Sequence, residues 1–358
     1  MTKQRISRLR ERMHDVGLDA HLFTSYENYR YFSGFSGSNC ALIITHDKLF
    51  ALTDGRYDVQ IHNQAKGYEI TVISEPMHKH IGEIIRSLKL SSVGYETHKI
   101  TDYCLNSVKS ACGEEINFVA CPDFGEEIRA VKDESEISSI RTAAKIADRS
   151  FEKLCRKLSK GMTEREAAAY LEYEMMCAKS EGAAFSTIAA SEIRGAMPHA
   201  QADDIVIPDN TLMTFDFGAK RNGYCSDITR TIHIGTPCKE LRNLWDSVFD
   251  VQQKCLKKVR PGIPCRELDL FAREEFEKLG LEKYFSHSLG HGVGLAIHES
   301  PTLSKRSDEI LSENMVITIE PGLYVEGLGG VRIEDSVVVT RDGCEILTHF
   351  PYRTDIKF

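Results

Sequence analysis

Apolar positions follow two regimes along the chain, and the regime changes near residue 125. Up to about residue 120, helix-like and strand-like patterns alternate over short distances. Ile6, Leu9, Met13 and Val16 recur at helical spacing, and apolar runs at 40–45 and 49–53 flank a turn at His46-Asp47. Further strand-like runs at 68–73, 93–96 and 116–119 are separated by helix-length segments, which predicts an α/β domain. Between 121 and 136 the composition shifts to Pro122, Gly125 and a cluster of acids, so a linker is expected there, with domains at 1–125 and 126–358.

The second domain opens with Ile137, Ile140, Ala144, Ala147, Phe151, Leu154 and Leu158 at alternating spacings of three and four, behind Asp133 as N-cap and Glu136. This predicts a long helix with one buried face. Thr163 and Glu166 form a second capping box ahead of a helix expected to run to Gly182. An internal repeat then becomes visible. Gly161-Met162-Thr163-Glu164-Arg165-Glu166 matches Gly262-Ile263-Pro264-Cys265-Arg266-Glu267 at an offset of 101 residues. A helix pair at 239–259 and 266–279 accompanies the later copy, and each copy is followed by an isolated histidine, His199 or His298, and a carboxylate-bearing hairpin. A duplicated half-domain places two hairpins around a shared pseudo-twofold axis.

Composition narrows the class of protein. The 358 residues hold 45 Lys and Arg against 53 Asp and Glu, a formal charge of −8, with no basic block to track a phosphate backbone, so nucleic acid is not expected as a partner. No apolar run reaches the ~18 residues of a spanning helix, and Met1 to Arg12 shows no secretory h-region, so a cytoplasmic protein without a membrane partner is expected. The 11 cysteines include no CxxC pair and read as free, mostly buried thiols. Cys225, close to Asp227, has no activating base near it and reads as a small core residue.

Candidate chemistry concentrates on the hairpins. Strands at 211–218 and 225–235 join through Arg221-Asn222-Gly223, where Asn-Gly is a strong turn signal, and carry Asp216 and Asp227 on their two arms. Depending on where the turn centres, Asp216 pairs with Thr229 and Asp227 is its diagonal neighbour, or the two acids are directly opposite. Both registers place the carboxylates on one face, close enough to share a cation. Phe215, Phe217 and Ile228 beside them argue against acids that are merely solvated. The second hairpin runs through 315–319 to Glu320, turns at Pro321-Gly322, and returns through 331–340 with Arg332 and Glu334 on one face by period two. A guanidinium there can orient a ligand carboxylate as well as pair with an acid.

Histidines supply the third element, with His287, His291 and His298 inside twelve residues. The H-x-x-x-H spacing lacks the Glu of a zinc-protease helix and is interrupted by Gly290, Gly292 and Gly294. The same glycines fail as a phosphate loop, because no Gly-Lys-Ser/Thr follows and Ala296 breaks the spacing. A strand or loop approached closely by other backbone remains. Asp216, Asp227, Glu320 and Glu334 carry four negative charges when ionised, which two divalent cations neutralise. Oxygen-rich ligation with one imidazole suits Mn²⁺, with Co²⁺, Fe²⁺ or Zn²⁺ as alternatives. Two such ions clamping a carbonyl perform metal-assisted hydrolysis.

The runs TFDFGA, SDITRT, HSLGHGVG, HESP, TIEPGLY and VRIEDSVVV resemble the pita-bread metallopeptidases, the group of Xaa-Pro aminopeptidase, prolidase and methionine aminopeptidase. The resemblance implies an α+β pita-bread catalytic domain with internal pseudo-twofold duplication, and it implies Asp216, Asp227, His291, Glu320 and Glu334 as ligands of two metals. Asp227 and Glu334 would bridge, Asp216 would complete one metal, and His291 with Glu320 the other. Glu320 would also accept a proton. By the same resemblance His199 and His298 contact substrate and stabilise the tetrahedral centre, and His287 with Arg332 match substrate-binding positions of proline-specific members.

Residues 28–38 and 53–57 are similar to the creatinase-like N-terminal domain of bacterial Xaa-Pro aminopeptidases, a domain that methionine aminopeptidases lack. Creatinase itself lacks the metal ligands. Departures from the pattern are Glu192 in place of Gly, Ser186 where Asp is common and Ala296 where an acid is frequent. The expectation is a dinuclear Xaa-Pro aminopeptidase acting on peptides with proline second, assembled as a homodimer. The nearest alternative is the dipeptidase, prolidase. The alternative from another class is a catalytically inactive peptide-binding member, usually marked by lost ligands.

Overall fold

The computed structural model describes residues 2–74, 76–113 and 115–358. Two compact units divide between Arg129 and Ala130. This lies beyond the 125/126 boundary expected from composition, because the short helix at 126–130 is tied back to the first unit. There Glu126 accepts from Asn28 Nδ2 at 3.0 Å and Arg129 donates to Asn28 Oδ1.

The first unit is built on a six-stranded sheet of β1 (Ala20–Phe23), β2 (Ala41–Thr45), β3 (Leu49–Asp54), β4 (Glu69–Ile73), β5 (Ser92–Tyr95) and β6 (Asn117–Ala120), in the order β4-β3-β2-β1-β5-β6. The β1–β2–β3 pairings are antiparallel, and β3–β4, β1–β5 and β5–β6 are parallel. Leu22, Ile43, Leu52 and Val93 pack against Ile81, Ile85 and Val108 of the covering helices α4 (Met77–Ser87) and α5 (Asp102–Cys112). The earlier helices are α1 (Thr2–Asp15), α2 (Tyr26–Ser33) and α3 (Asp58–Gln64), and α6 (Glu126–Ala130) closes the unit. In α1, Ile6, Leu9 and Met13 are buried as their spacing predicts, but Val16 is exposed. The helix ends at Asp15, and Gly17 turns the chain at φ +70°.

The second unit contains α7 (Glu134–Lys157), α8 (Glu164–Cys177), α9 (Lys239–Leu256) and α10 (Cys265–Lys278). Both predicted capping boxes form: Asp133 accepts from the amides of Ser135 and Glu136, Thr163 accepts from Glu166, and both glutamates reach back. A box satisfies amides that would otherwise lose their partners at the helix start, so its signal is local and readable. α8 stops at Cys177, short of Gly182, because Lys179 already takes φ +71°.

Two sheets follow. One has β7 (Ile188–Ser191), β8 (Thr211–Phe217), β11 (Ile228–Ile234) and β19 (Asp355–Ile356), in the order β19-β11-β8-β7. Between β8 and β11 a separate two-stranded tip is made by β9 (Lys220–Arg221) and β10 (Tyr224–Cys225), turning at Asn222 and Gly223, both with positive φ. The other sheet has β12 (Gly290–Gly292), β13 (Glu299–Leu303), β14 (Val316–Ile319), β17 (Asp335–Thr340) and β18 (Gly343–Ile346), in the order β13-β12-β14-β17-β18. A ladder of β15 (Gly322–Val325) and β16 (Gly329–Arg332) is inserted between β14 and β17. The return strand expected at 331–340 is therefore broken at Ile333 and Glu334, where the Glu334 amide bonds instead to the carbonyl of Thr229 in the other sheet at 3.1 Å.

The duplication is written in matched bonds. Glu164 N bonds Ile205 O at 3.0 Å and Ile207 N bonds Met162 O at 2.9 Å; Cys265 N bonds Glu309 O at 2.9 Å and Leu311 N bonds Ile263 O at 3.0 Å. Lys153 pairs with Glu174 between α7 and α8 just as Lys254 pairs with Glu275 between α9 and α10. Each half has its own core. Phe151 packs on Phe215, Phe217 and Phe350 in the first, and Leu244, Val248 and Val251 pack on Ile317, Ile319 and Val337 in the second.

Candidate active site

Asp216 faces Thr229 in the β8–β11 register and Ile228 faces Phe217, so Asp227, immediately before β11, is the diagonal neighbour of Asp216. This resolves the two registers that the Asn-Gly turn left open. Glu334 occupies the corresponding place in the second half, immediately before β17, and Glu320 follows β14. His291 is the middle residue of β12, whose glycines exist because other backbone lies against them. A Cβ at Gly290 would strike the Thr318 carbonyl, and one at Gly292 the Ser300 carbonyl.

Ligand atoms of Asp227, His291 and Glu334 all lie within 4.8 Å of one another. His291 Nε2 is 3.6 Å from Asp227 Oδ2 and 3.2 Å from Glu320 Oε1. Its Nδ1 sits 3.0 Å from the Gly292 carbonyl, an acceptor, so Nδ1 keeps its proton, while Nε2 faces the acids: it donates to Glu320 as long as the ring is protonated and offers a lone pair to a metal once that proton leaves. Asp216 joins through Arg332, whose Nη2 is 2.6 Å from Asp216 Oδ2, while Asp216 Oδ1 is buried with no hydrogen-bond partner. Thr318 Oγ1 donates to Glu320 Oε1 at 3.0 Å and Thr229 Oγ1 donates to Glu334 Oε2 at 2.6 Å.

The electrostatics are those of acids crowded without enough positive charge. Burial, then the neighbouring Glu334, Asp216 and Glu320 carboxylates, push Asp227 well above the ordinary carboxylate range. Burial and the charges of Glu320 and Asp216 do the same to Glu334. Burial also raises Asp216 despite Arg332. Glu320 is the exception: against the upward push of burial, the hydrogen-bonded His291 holds it down to about 2. The Arg332 guanidinium and the His291 imidazole do not balance four carboxylates. An inward Nε2 at His291, an unpartnered Asp216 oxygen and mutually repelling Asp227 and Glu334 fit divalent cations.

The flanking residues form a second constellation. His287 Nδ1 faces the Ser288 carbonyl at 2.8 Å, so its Nε2 accepts from the Tyr324 hydroxyl at 2.8 Å, and the Tyr324 oxygen in turn accepts from Arg332 Nη1 at 2.9 Å. Arg332 Nη1 also holds the Pro198 carbonyl at 3.1 Å, which anchors the segment bearing exposed His199. His298 meets the edge of His291 at 4.3 Å between ring centroids. Burial and the adjacent His291 lower the pKa of His298, and burial lowers that of His287, so both rings favour the neutral form. Glu192 adopts φ +53°, a left-handed conformation that explains why the family pattern has glycine there. Every site residue expected from the sequence thus gathers around the two hairpins. Thr229, Thr318 and Tyr324 join them without having been singled out as site residues. They lie inside SDITRT and TIEPGLY, but their part is to touch other side chains, which no spacing announces.

A creatinase-like α/β unit followed by a duplicated unit whose two hairpins converge acids and a histidine defines a pita-bread metallopeptidase scaffold. The profile of metallopeptidase family M24 matches residues 138–341, and that of the creatinase/prolidase N-terminal domain matches residues 5–131. The chain belongs to metallopeptidase family M24. An Xaa-Pro dipeptidase of Pyrococcus furiosus is 36% identical over 346 residues, which cover 97% of this chain and 98% of the relative. Among solved structures, an Xaa-Pro dipeptidase from Bacillus anthracis superposes with a TM-score of 0.95 at 35% identity, covering 100% of both chains. An X-Pro aminopeptidase from Thermotoga maritima superposes with a TM-score of 0.90 at 37% identity, covering 99% of this chain and 100% of its own.

Proposed function

We propose that this chain is a dinuclear metal-dependent peptidase that hydrolyses X-Pro bonds, with Xaa-Pro dipeptides as its preferred substrates. The observation that carries the reading is the convergence of Asp227, His291 and Glu334, with His291 Nε2 turned inward and Glu320 and Asp216 beside them. The two ions, taken here as Mn²⁺, would be held by Asp216, Asp227, His291, Glu320 and Glu334, and when bound they supply Lewis acidity and a nucleophile at neutral pH.

The chain's own groups do the rest. Asp227 and Glu334, each at the start of a return strand, bridge the two halves of the site. Glu320, 3.2 Å from His291, is a carboxylate placed beside the metal positions to accept a proton. His199 and His298 supply ring N–H donors toward the developing tetrahedral oxygen. Arg332, braced by Asp216 and Tyr324, offers a guanidinium to a substrate carboxylate, and His287 orients the same hydroxyl from the other side. An X-Pro bond is a tertiary amide without N–H and with φ fixed by the ring, so a site built on these contacts does not depend on the donor that general peptidases use.

The dipeptidase reading replaces the aminopeptidase as the preferred one because the Pyrococcus furiosus relative and the Bacillus anthracis structure carry that name. The Thermotoga maritima structure keeps the aminopeptidase as the second reading. Eleven free cysteines fit a reducing cytoplasm, and among the described residues no helix is long and apolar enough to cross a membrane. The test is hydrolysis of Ala-Pro against Arg-Pro-Pro by metal-stripped protein, then by protein resupplied with Mn²⁺ or Co²⁺. Faster, metal-dependent cleavage of Ala-Pro is expected. Preference for the tripeptide would restore the aminopeptidase, and silence on both with metal bound would leave a peptide-binding protein.

A further inference from the structure

We propose that the Thr229 hydroxyl is a positioning group that sets the Glu334 carboxylate and the Arg332 guanidinium together, coupling metal retention to substrate orientation. The inference rests on the metallopeptidase reading and goes beyond its ligand set. Thr229 is fully buried, and its Oγ1 lies 3.1 Å from Arg332 Nε and 2.6 Å from Glu334 Oε2. A guanidinium Nε–H can only donate, so the hydroxyl accepts on that side and its single proton is committed to Glu334. With Glu334 ionised, as a metal ligand must be, neither bond can reverse. The carboxylate's rotation is therefore tied to the guanidinium, beside Asp227 and His291.

The main chain around this triad is secured independently of the hydroxyl. Glu334 N bonds Thr229 O at 3.1 Å, and Arg230 Nη1 bonds both the Thr229 carbonyl at 3.0 Å and the Glu334 carbonyl at 2.5 Å. Thr231 Oγ1 accepts from the Arg332 amide at 3.2 Å and donates to the Arg332 carbonyl at 2.9 Å. Removing the Thr229 hydroxyl alone thus unlinks the Glu334 carboxylate from the Arg332 guanidinium, which keeps its bonds to Asp216, Tyr324 and Pro198, while leaving their strands in place. The other half shows the contrast. Ser336 stands two residues after Glu334 as Thr229 stands two after Asp227, yet its hydroxyl donates to the Asp227 main-chain carbonyl at 2.7 Å and touches no ligand carboxylate.

The experiment compares full-length wild type, Thr229→Val and Thr229→Ser, metal-stripped and titrated with Mn²⁺ by calorimetry, with KM and kcat on Ala-Pro and the melting temperature of each stripped protein. Valine keeps the shape without the hydroxyl, and serine returns the hydroxyl without the methyl. Expected are a loss of Mn²⁺ affinity of about 10- to 100-fold in Thr229→Val, the range typical of groups that orient metal ligands, a raised KM, and recovery of both in Thr229→Ser. A Thr229→Val protein that melts lower but binds Mn²⁺ as wild type does would overturn the proposal, as would a serine variant as weak as the valine one. A wild type that takes up no Mn²⁺ would overturn the metallopeptidase reading beneath it, a result separable from failure of the variants alone.

Discussion

The two halves of the second unit start from one plan and end with different chemistry. Both open on a helix pair clipped by a lysine–glutamate bridge, both fold a loop back on the second helix through the same two backbone bonds, and both place an acid immediately before the return strand. The first half offers the short acids Asp216 and Asp227, with Ala190 in the strand beside them. The second offers the longer Glu320 and Glu334 and sets His291 in the neighbouring strand β12. A duplicated scaffold provides symmetric positions, and the side-chain choice at those positions breaks the symmetry. The site has a histidine-rich side and an arginine-anchored side because only one half carries each device.

If both halves contribute to a single metal centre, removing one acid from either should be equally fatal. Asp227→Ala and Glu334→Ala are each expected to lose bound metal, measured by elemental analysis, and to lower X-Pro hydrolysis by about 10³-fold or more, since several kcal/mol of charge stabilisation go with the ions. Full metal content in either variant would show that the halves do not share the centre. Next in size are the paired histidines. His298→Ala and His199→Ala should keep their metal while turnover falls by about 10²- to 10³-fold, the loss expected for one donor to a developing oxyanion. A large effect at only one of them would mean that the symmetry stops at the scaffold.

What the sequence made readable follows from how local each signal is. The capping boxes at Asp133 and Thr163, the periodic face of α7 and the repeat at Gly161 and Gly262 all lie within a few residues, and all are found in the structure. The four acids were legible because charge without countercharge is visible in a list of residues, whereas His291 was set apart from His287 and His298 only by the resemblance to the family. The strand β1 carried no readable pattern because the buried His21 interrupts its apolar run. The break at Ile333 and Glu334 was hidden inside an unbroken β-prone run, because its cause is a bond to Thr229, more than a hundred positions away. Tyr324 and Thr229 were passed over for the same reason: their partners are supplied by the fold.

Arg230 and Asp335 form a strap across the halves with no counterpart among the described residues, which makes them the sharpest test of asymmetry in stability. Arg230 Nη2 is 2.8 Å from Asp335 Oδ1, both side chains are buried, and Gln252 and Thr348 complete the carboxylate at 2.7 and 2.8 Å. Arg230→Met leaves that carboxylate buried without its countercharge. It is expected to cost about 3–5 kcal/mol, read as a lowered urea midpoint, whereas Arg230→Met with Asp335→Leu should recover much of the loss. A single variant as stable as wild type would mean that the strap adds nothing to the joining of the halves.

The smallest effect tests the plan itself, away from any chemistry. Gly161 and Gly262 are the repeated glycines, at φ +91° and +82°, and a Cβ built on either would meet nothing within 4 Å. An alanine there suffers no clash with a neighbour, so its whole cost is the left-handed backbone, about 1–2 kcal/mol at each site. Because the two turns are followed by the same pair of backbone bonds, Gly161→Ala and Gly262→Ala should destabilise by equal amounts and leave Mn²⁺ affinity untouched. Equal urea midpoints would place the symmetry in the backbone, beneath the divergent side chains. A difference much above about 0.5 kcal/mol would show that one half tolerates a different turn and that the duplication has drifted in its scaffold as well as in its chemistry.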